Sequence, residues 1–506
     1  MSRPAGAARA ADAPGGAPAD RITELVVRLA EADVRLSADG ARLRYDGPAS
    51  AVTGPLLTEL RELKDELLVR VETGRVLRSG AASREQTRYL ALHEELPLPQ
   101  VLNVPFRVDL EGALDVGALR GALARLVLRH ESLRTRYRRN GARRLQEILA
   151  PRPLVLPVED LTRDADPGDS AGRIASHEAA VAFDPGAGTA PRLRLLRTGP
   201  RAWTLLLVLH HSGCDGWSVS LLLSELAALY TALVTGRPAG LDPRPPQPLE
   251  YARWQGDRAA DPATAARCRA YWAGRLGGLP AGHALPLDRP RPRRLSGLGG
   301  TELFTVPAGT LRAVAACAAR HRTSVFAVCA AAFGMLLGRL SGRPELPVVV
   351  PYANRDRREL ERLVACTTAP FVLRLAAGEE ADLGPLAART GLAALESVDR
   401  LLPLGEVEQC LAPGTSTGAA LPISFHFQNS LEIGPELTLP GLAVTVTPVA
   451  GPASRDELGL GLIPVGDVLS GYVEFTTDLW DPATVRGWIR DYVALLHRAA
   501  SRGAVS

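Results

Sequence analysis

His210-His211-Ser212-Gly213-Cys214-Asp215-Gly216 follows directly on the apolar run Trp203 to Leu209. The run is continuous rather than alternating, which predicts a buried strand, and a helical pattern resumes from Val219 to Val234. A strand ending in two histidines, then a glycine-containing turn, then a helix start lets an imidazole project into a cleft rather than into a sheet face. Histidine is the side chain best suited to move or hold a proton near neutral pH. Asp215 is placed for a buried ion pair that fixes the loop. Gly216 is expected to allow close backbone approach or an unusual dihedral. An isolated His210-His211 pair would read as turn residues beside a core strand, whereas the longer pattern favours a reaction centre. No metal is expected, because His93, His130, His177 and His283 lie in unrelated segments. Cys214 offers a thiol nucleophile, but no base accompanies it beyond the same histidines.

Outward from this stretch, strands and helices alternate. Val104 to Leu110 reads as a strand, and Val116 to Arg129 as a helix with Leu119, Leu123 and Leu126 on one face. Leu311 to Leu340 reads as two packed helices broken near Arg322-Thr323. Pro347 to Pro351, Leu421 to Phe427 and Tyr472 to Thr476 read as strands, and Pro482 to Ala499 as a last helix. Pro-rich stretches at 241–248 and 285–294 interrupt the chain. The pattern predicts an α/β catalytic region of two lobes.

The N-terminus differs. Residues 1–19 are Ala, Gly and Pro with few large apolar side chains, and are expected to be disordered. Asp20 is a candidate N-cap, followed by Ile22, Leu25, Val26 and Leu29 at helical spacing. Val34 to Leu36 and Leu43 to Tyr45 flank Asp39-Gly40 as a hairpin. A second helix starts near Thr53, with Leu56, Leu60, Leu63 and Leu67 on one stripe. Residues 20–73 therefore form a small α+β domain, with 74–82 as a linker.

The 506 residues carry a net charge of only +4, from 59 basic and 55 acidic side chains. Nothing in that balance calls for nucleic acid or an anionic membrane. The six scattered cysteines include no Cys-x-x-Cys pair, which favours a reduced cytoplasm over a disulfide framework. Apolar stretches such as 203–209 are too short to cross a bilayer, and no secretion signal is apparent. The expectation is a soluble cytoplasmic protein.

Further blocks accompany the histidine motif: Ser83-Arg84-Glu85-Gln86-Thr87-Arg88-Tyr89, Arg129-His130-Glu131-Ser132-Leu133-Arg134-Thr135, Tyr251-Ala252-Arg253-Trp254, Ala353-Asn354-Arg355 and Phe425-His426-Phe427-Gln428-Asn429. In this order, over roughly residues 80–500, the chain resembles a nonribosomal peptide synthetase condensation domain of the chloramphenicol-acetyltransferase-like superfamily. The resemblance implies two lobes in a V around a central tunnel, with 83–255 as the N-lobe and 256–506 as the C-lobe. It implies transfer of an acyl group from a carrier-protein thioester to an amine or alcohol, so that no cofactor is bound and substrates arrive on phosphopantetheine arms. His211 would face the tunnel, His210 would support the loop, and Asp215 would pair with an arginine of the second lobe, for which Arg355 is the candidate. The chain departs from the family at Val364 to Phe371, where a usual glycine and asparagine are absent, and around Leu402 to Glu406. These departures bear on donor and acceptor identity.

Residues 20–73 resemble an N-terminal docking domain of the tubulysin-synthetase type. That implies capture of the C-terminal tail of an upstream megasynthase subunit along a strand edge, with Arg35, Arg42 and Arg44 as basic contacts; a simple helical cap on the enzyme is the alternative. With no adenylation or carrier domain apparent, the expectation is a free-standing enzyme. Two other classes stay open: a non-catalytic adaptor that recruits partners, and a coenzyme A-dependent acyltransferase. The late Asp-Phe-Gly-Trp-Gly motif of plant-type enzymes in the second class is missing here.

Overall fold

The computed structural model describes residues 18–506 except 33, 40–41, 73–74, 259–260, 280–281, 377–381, 412–420, 429–437 and 502–506. The disorder expected over 1–17 lies outside the described residues. Pro18 and Ala19, included in that expectation, instead belong to the first helix.

The N-terminal unit runs α1 (Pro18–Glu31), β1 (Arg35–Asp39), β2 (Arg42–Asp46), α2 (Gly54–Glu62) and α3 (Lys64–Glu72). Asp20 is thus inside α1 rather than its cap. The apolar stripes close on each other as read from the sequence: Ile22, Leu25, Val26 and Leu29 of α1 meet Leu60, Leu63 and Leu67 in a separate small core. Thr53 caps α2 by accepting from the Leu56 N–H.

The N-lobe follows with β3 (Val76–Ala81), α4 (Arg84–Glu95), β4 (Asn103–Gly112) and α5 (Val116–Arg129). It continues with β5 (Thr135–Asn140), β6 (Arg143–Leu149), β7 (Val158–Asp160), α6 (Pro167–Ala180) and β8 (Arg192–Arg197). It closes with β9 (Ala202–His210), α7 (Gly216–Thr235) and α8 (Pro248–Arg258). The expected linker is corrected here: Val76–Ala81 pairs antiparallel with β6 at the edge of a three-stranded sheet. Its alternating burial, with Gly80 pressed close to Leu249, makes it part of the lobe.

β9 is the middle strand of a five-stranded sheet, and residues 204–210 are all buried. Both faces are covered, which explains the continuous apolar run. Leu205, Leu207 and Leu209 meet Leu119 and Leu123 of α5 and Leu222 of α7, while Leu206 meets Ala171 and Ala175 of α6. α7 is itself apolar over 20 residues, long enough to cross a membrane by composition. That was not anticipated from the shorter apolar runs. Its Val219, Leu222, Leu223 and Leu226 are buried in the lobe core.

The C-lobe comprises α9 (Pro262–Leu276), β10 (Gly299–Val306), α10 (Ala308–Arg320), α11 (Val325–Ser341), β11 (Glu345–Tyr352) and β12 (Ala369–Ala376). It goes on through α12 (Leu383–Val398), α13 (Leu404–Glu408), β13 (Ile423–Phe427) and β14 (Leu442–Pro448). It ends with β15 (Leu458–Val465), β16 (Val468–Thr476) and α14 (Pro482–Ser501). Its six-stranded sheet has the order β10-β16-β15-β13-β11-β12. Against it lies α11, buried without a break from Ala327 to Gly338. β14 crosses over and pairs antiparallel with β4, becoming the edge of the N-lobe sheet. The lobes are therefore not divided at one point in the sequence, and 256–506 is not purely C-lobe.

Candidate active site

The end of β9 and the start of α7 bracket the histidine loop. Asp215 caps α7: its Oδ1 accepts from the Ser218 N–H at 2.9 Å and from the Ser218 hydroxyl at 2.7 Å. Arg355, arriving from the C-lobe, places Nη2 3.0 Å from the same Oδ1. Oδ2 accepts from the Thr367 N–H at 3.0 Å and the Thr367 hydroxyl at 2.9 Å. Burial alone would push the Asp215 carboxyl up; the Arg355 guanidinium and these donors more than offset it and hold it below the usual range. With both oxygens taken, Asp215 has no acceptor left for a proton of substrate. It fixes the loop.

Arg355 is held in turn, with Nη1 donating to the carbonyls of Leu360 and, at 2.8 Å, Leu363. The preceding Asn354 adopts φ 52° and donates to the Tyr251 hydroxyl at 3.1 Å. The segment that departs from the family pattern packs directly under the loop. The Ala365 N–H donates to the Ser218 hydroxyl oxygen at 3.2 Å, and Thr367 contacts Asp215. Threonine thus supplies the donors there.

His210 is buried, with Nδ1 2.7 Å from the Ser212 hydroxyl and Nε2 3.3 Å from His93 Nδ1. Burial, with the neighbouring His93, pulls its imidazole down to about 3. His210 is therefore a neutral wedge beneath the loop. His211 is different: it is partly exposed and stacks on the Tyr89 ring, with centroids 4.1 Å apart and planes 15° from parallel. Its Nε2 is 3.3 Å from the Tyr89 hydroxyl, and its Nδ1 faces the Cys366 thiol at 4.0 Å. Burial, then the Arg455 charge, pull His211 down to about 4. The ring is neutral near pH 7 and keeps a lone pair that can accept a proton.

Tyr89 owes its place to α4. Ser83 and Gln86 close a capping box on that helix, and Gln86 continues to the Tyr137 hydroxyl at 3.1 Å, which donates to the Ser212 carbonyl at 3.0 Å. The first sequence block is therefore a scaffold for the histidine loop. The second supports it too: the Thr189 hydroxyl donates to the Thr135 carbonyl at 2.9 Å, and the Ser132 carbonyl lies 3.3 Å from where a Cβ on Gly213 would stand.

Two expectations need correction or closure. Gly216 has no left-handed φ, and a Cβ there would meet nothing within 4 Å, so nothing in this chain demands glycine. Cys214 is buried and burial pushes its thiol up, away from the thiolate a nucleophile needs. Among the described residues no group of three His, Cys, Asp or Glu side chains is arranged to hold a metal. Arg42 and Arg44 are exposed on β2, and Arg35 pairs by its backbone with Asp46.

Sequence reasoning missed Arg455, and quoted Tyr89, Cys366 and Thr367 only as parts of longer blocks. Tyr89 had a readable signal, three residues after Gln86 on the same helix face. Arg455 had none, because it comes from a loop 244 residues beyond His211 in the chain.

Comparison with known proteins gives a consistent picture. The condensation domain family profile matches residues 79–506, and the TubC N-terminal docking domain profile matches residues 22–69. The probable non-canonical nonribosomal peptide synthetase CymA of Salinispora arenicola is 33% identical over 82% of this chain, but the match spans only 6% of CymA. SgcC5 of Streptomyces globisporus, crystallised with (R)-(-)-1-(2-naphthyl)-1,2-ethanediol and sucrose, superposes with TM-score 0.70 at 25% identity. That alignment covers 84% of this chain and 99% of SgcC5. The X-domain from teicoplanin biosynthesis gives TM-score 0.72 at 24% identity, covering 84% and 96% of the two chains.

Proposed function

Because the chain belongs to the condensation domain family, we propose that it transfers an acyl group from a carrier-protein thioester to an amine or alcohol. The observation that carries this reading is His211: a neutral, partly exposed imidazole held at the lobe junction by Asp215, Arg355 and Thr367. The nucleophile attacks the thioester carbonyl, a C–N or C–O bond forms, the C–S bond breaks and the pantetheine thiolate leaves. His211 orients the nucleophile and takes its proton, and the thiolate is then reprotonated. The protein adds proximity and a shielded polar environment. No cofactor of the enzyme's own enters these steps.

The diol in the SgcC5 crystal keeps an alcohol among the candidate nucleophiles. The N-terminal unit is proposed to dock an upstream synthetase subunit through its strand pair, with Arg35, Arg42 and Arg44 meeting an acidic tail. All six cysteines are free, which supports work in a reducing cytoplasm.

The test is intact-mass analysis of acyl-loaded carrier proteins incubated with wild-type or His211→Ala protein and a panel of amines and alcohols. Nucleophile-dependent unloading by wild type alone is the expected result. Equal unloading by the variant would leave a non-catalytic adaptor as the better reading, and unloading of acyl-coenzyme A in place of the carrier protein would point to the coenzyme A-dependent class.

A further inference from the structure

His211 is gripped at three places, one of them reached only from the C-lobe. Its main-chain N–H donates to the Leu102 carbonyl at 2.9 Å, which anchors the base of the side chain. Its ring lies on Tyr89 with centroids 4.1 Å apart, and that stack sets the ring plane. Within the plane, the Nδ1 edge is turned to the Cys366 thiol at 4.0 Å. Tyr89, Leu102 and Cys366 pack together in one small core, drawn from α4, the turn before β4 and the segment 364–371. The grip therefore closes only where the two lobes meet.

A neutral imidazole carries one proton, and only the nitrogen without it can act as a base. The contacts choose between the two. The Tyr89 hydroxyl, 3.3 Å from Nε2, makes no other hydrogen bond among the described residues. Burial pushes the Tyr89 phenol up to about 12, so it keeps its proton, and a buried O–H with a single partner donates to it. Nε2 therefore holds the lone pair and Nδ1 the proton. Against burial and the Arg455 charge, the main chain of His211 itself favours a protonated ring, and Nδ1 is the nitrogen beside that backbone. The Nδ1–H faces Cys366, whose fully buried sulfur is a soft, weak acceptor. Burial, then the Asp215 charge, push the thiol well above its usual range, so it stays neutral. A thiolate there would draw a second proton onto the imidazole and remove the base.

We propose that Cys366 is a positioning residue for the transfer reaction: its neutral thiol receives the Nδ1–H of His211 and so keeps the Nε2 lone pair available to the nucleophile. The proposal rests on the condensation reading. As a buried group, Cys366 acts through His211 rather than on substrate. It completes an arrangement whose other members, Tyr89 and Leu102, belong to the N-lobe. The segment that departs from the family pattern thereby serves both halves of the loop. Thr367 holds the aspartate, and Cys366, one residue earlier, holds the histidine.

The experiment compares full-length wild type, C366A and C366S, each carrying isotopically labelled histidine. Long-range proton–nitrogen spectra tell the ring nitrogens apart, and the signals missing from His211→Ala assign them. Wild type should show Nδ1 protonated and Nε2 bare. C366A should move both resonances toward the average of the two tautomers and lower kcat about 2- to 10-fold with KM unchanged. C366S, whose hydroxyl oxygen can receive the same proton, should restore the tautomer and most of kcat. A packing role gives a different order, because C366S buries a hydroxyl and should be no more stable than C366A. Activity that follows melting temperature rather than the tautomer therefore overturns the proposal. So does a wild-type ring protonated at Nε2, or an unchanged tautomer in C366A. His211-dependent transfer indifferent to C366A would sink the positioning role and leave the condensation reading standing. The expected spectra in a chain that transfers to no nucleophile would uphold the tautomer and sink the condensation reading instead.

Discussion

Arg355 of the C-lobe and Asp215 of the N-lobe meet at 3.0 Å with only 2% of either side chain exposed. Besides Arg355, Asp215 receives hydrogen bonds from Ser218 and Thr367, so its carboxylate sits in a hydrogen-bonded knot between the lobes. Such a pair need not stabilise more than an apolar equivalent would, but breaking it strands a buried charge.

Asp215→Ala should therefore cost about 3–5 kcal/mol of stability and take activity down with it. Arg355→Ala should behave the same way, since it leaves the Asp215 carboxylate uncompensated. Urea unfolding followed by fluorescence measures this directly. An Asp215→Ala protein with unchanged unfolding and no turnover would instead give the carboxylate a direct part in the chemistry.

Tyr89 separates packing from hydrogen bonding. Tyr89→Phe keeps the ring stacked on His211 and removes only the hydroxyl 3.3 Å from Nε2. A net hydrogen bond of about 0.5–1.5 kcal/mol corresponds to a loss in kcat/KM of roughly 2- to 13-fold, with melting temperature nearly unchanged. Tyr89→Ala removes a buried aromatic ring and should cost about 3–5 kcal/mol of stability. If Tyr89→Phe abolished turnover, the phenol would be a reacting acid and not a positioning group.

Burial lowers both motif histidines, to about 3 for His210 and about 4 for His211, from an ordinary value of 6.5. The folded chain thus binds these protons more weakly than the unfolded chain, and falling pH favours unfolding. Their contribution is fully present above pH 6.5 and is lost progressively as pH falls from there toward 4 and then 3. The unfolding midpoint should drop measurably between pH 7.5 and 5.5 (about one unit either side of the ordinary value), and His210→Ala should flatten that dependence. Activity follows different logic: with His211 already neutral, kcat/KM should show no inflection near 6.5. An inflection there would mean that the ring is solvated during turnover.

The reaction loop was legible because its information is local. A buried strand, a helix start and the residues between them lie within 35 consecutive positions, from Ala202 to Gly236. The break between α10 and α11 was legible for the same reason, since two helical stripes meet at Arg322-Thr323. What failed was partnership at long range. Leu442–Pro448 shows strand alternation, yet nothing in it tells that its partner is β4 in the other lobe. Val76–Ala81 looked like a linker because its Gly and Ser residues suit one, and only β6 makes it a strand. Gly216 was credited with a backbone role that its conformation does not require. Arg455 comes to act on His211 through folding alone.

The N-terminal unit is seated against the N-lobe: Glu31 of α1 lies 3.4 Å from Arg125 of α5, and its side chain covers Gly121, where a Cβ would come within 2.5 Å. Deleting residues 1–73 stops short of β3 and should leave a folded, His211-dependent enzyme. Turnover should fall when a natural upstream subunit delivers the donor, because docking raises effective concentration. With an excised carrier protein at high concentration it should change little. Equal loss in both formats would make this unit part of the enzyme's own fold.

His211→Ala is the decisive substitution. The ring makes one contact of consequence for packing, the stack on Tyr89, and is partly exposed, so its loss should leave the fold intact. His210 is fully enclosed between Ser212, His93 and Phe183, and His210→Ala should open a cavity and lower the melting temperature more than it alters the chemistry of any surviving fold. For His211→Ala the nucleophile sets the size of the effect. An α-amine, with an ordinary pKa of about 7.7–8.0, is already partly neutral at pH 7.5 and needs mainly positioning, so the loss should lie near the lower end of about 10²–10⁴-fold. A hydroxyl must surrender its proton as it attacks, so the loss should lie near the upper end. Single-turnover rates with a matched amine and alcohol, wild type against His211→Ala, measure both. A folded His211→Ala protein that still transfers at near wild-type rate would remove the imidazole from the reaction and return the chain to an adaptor role.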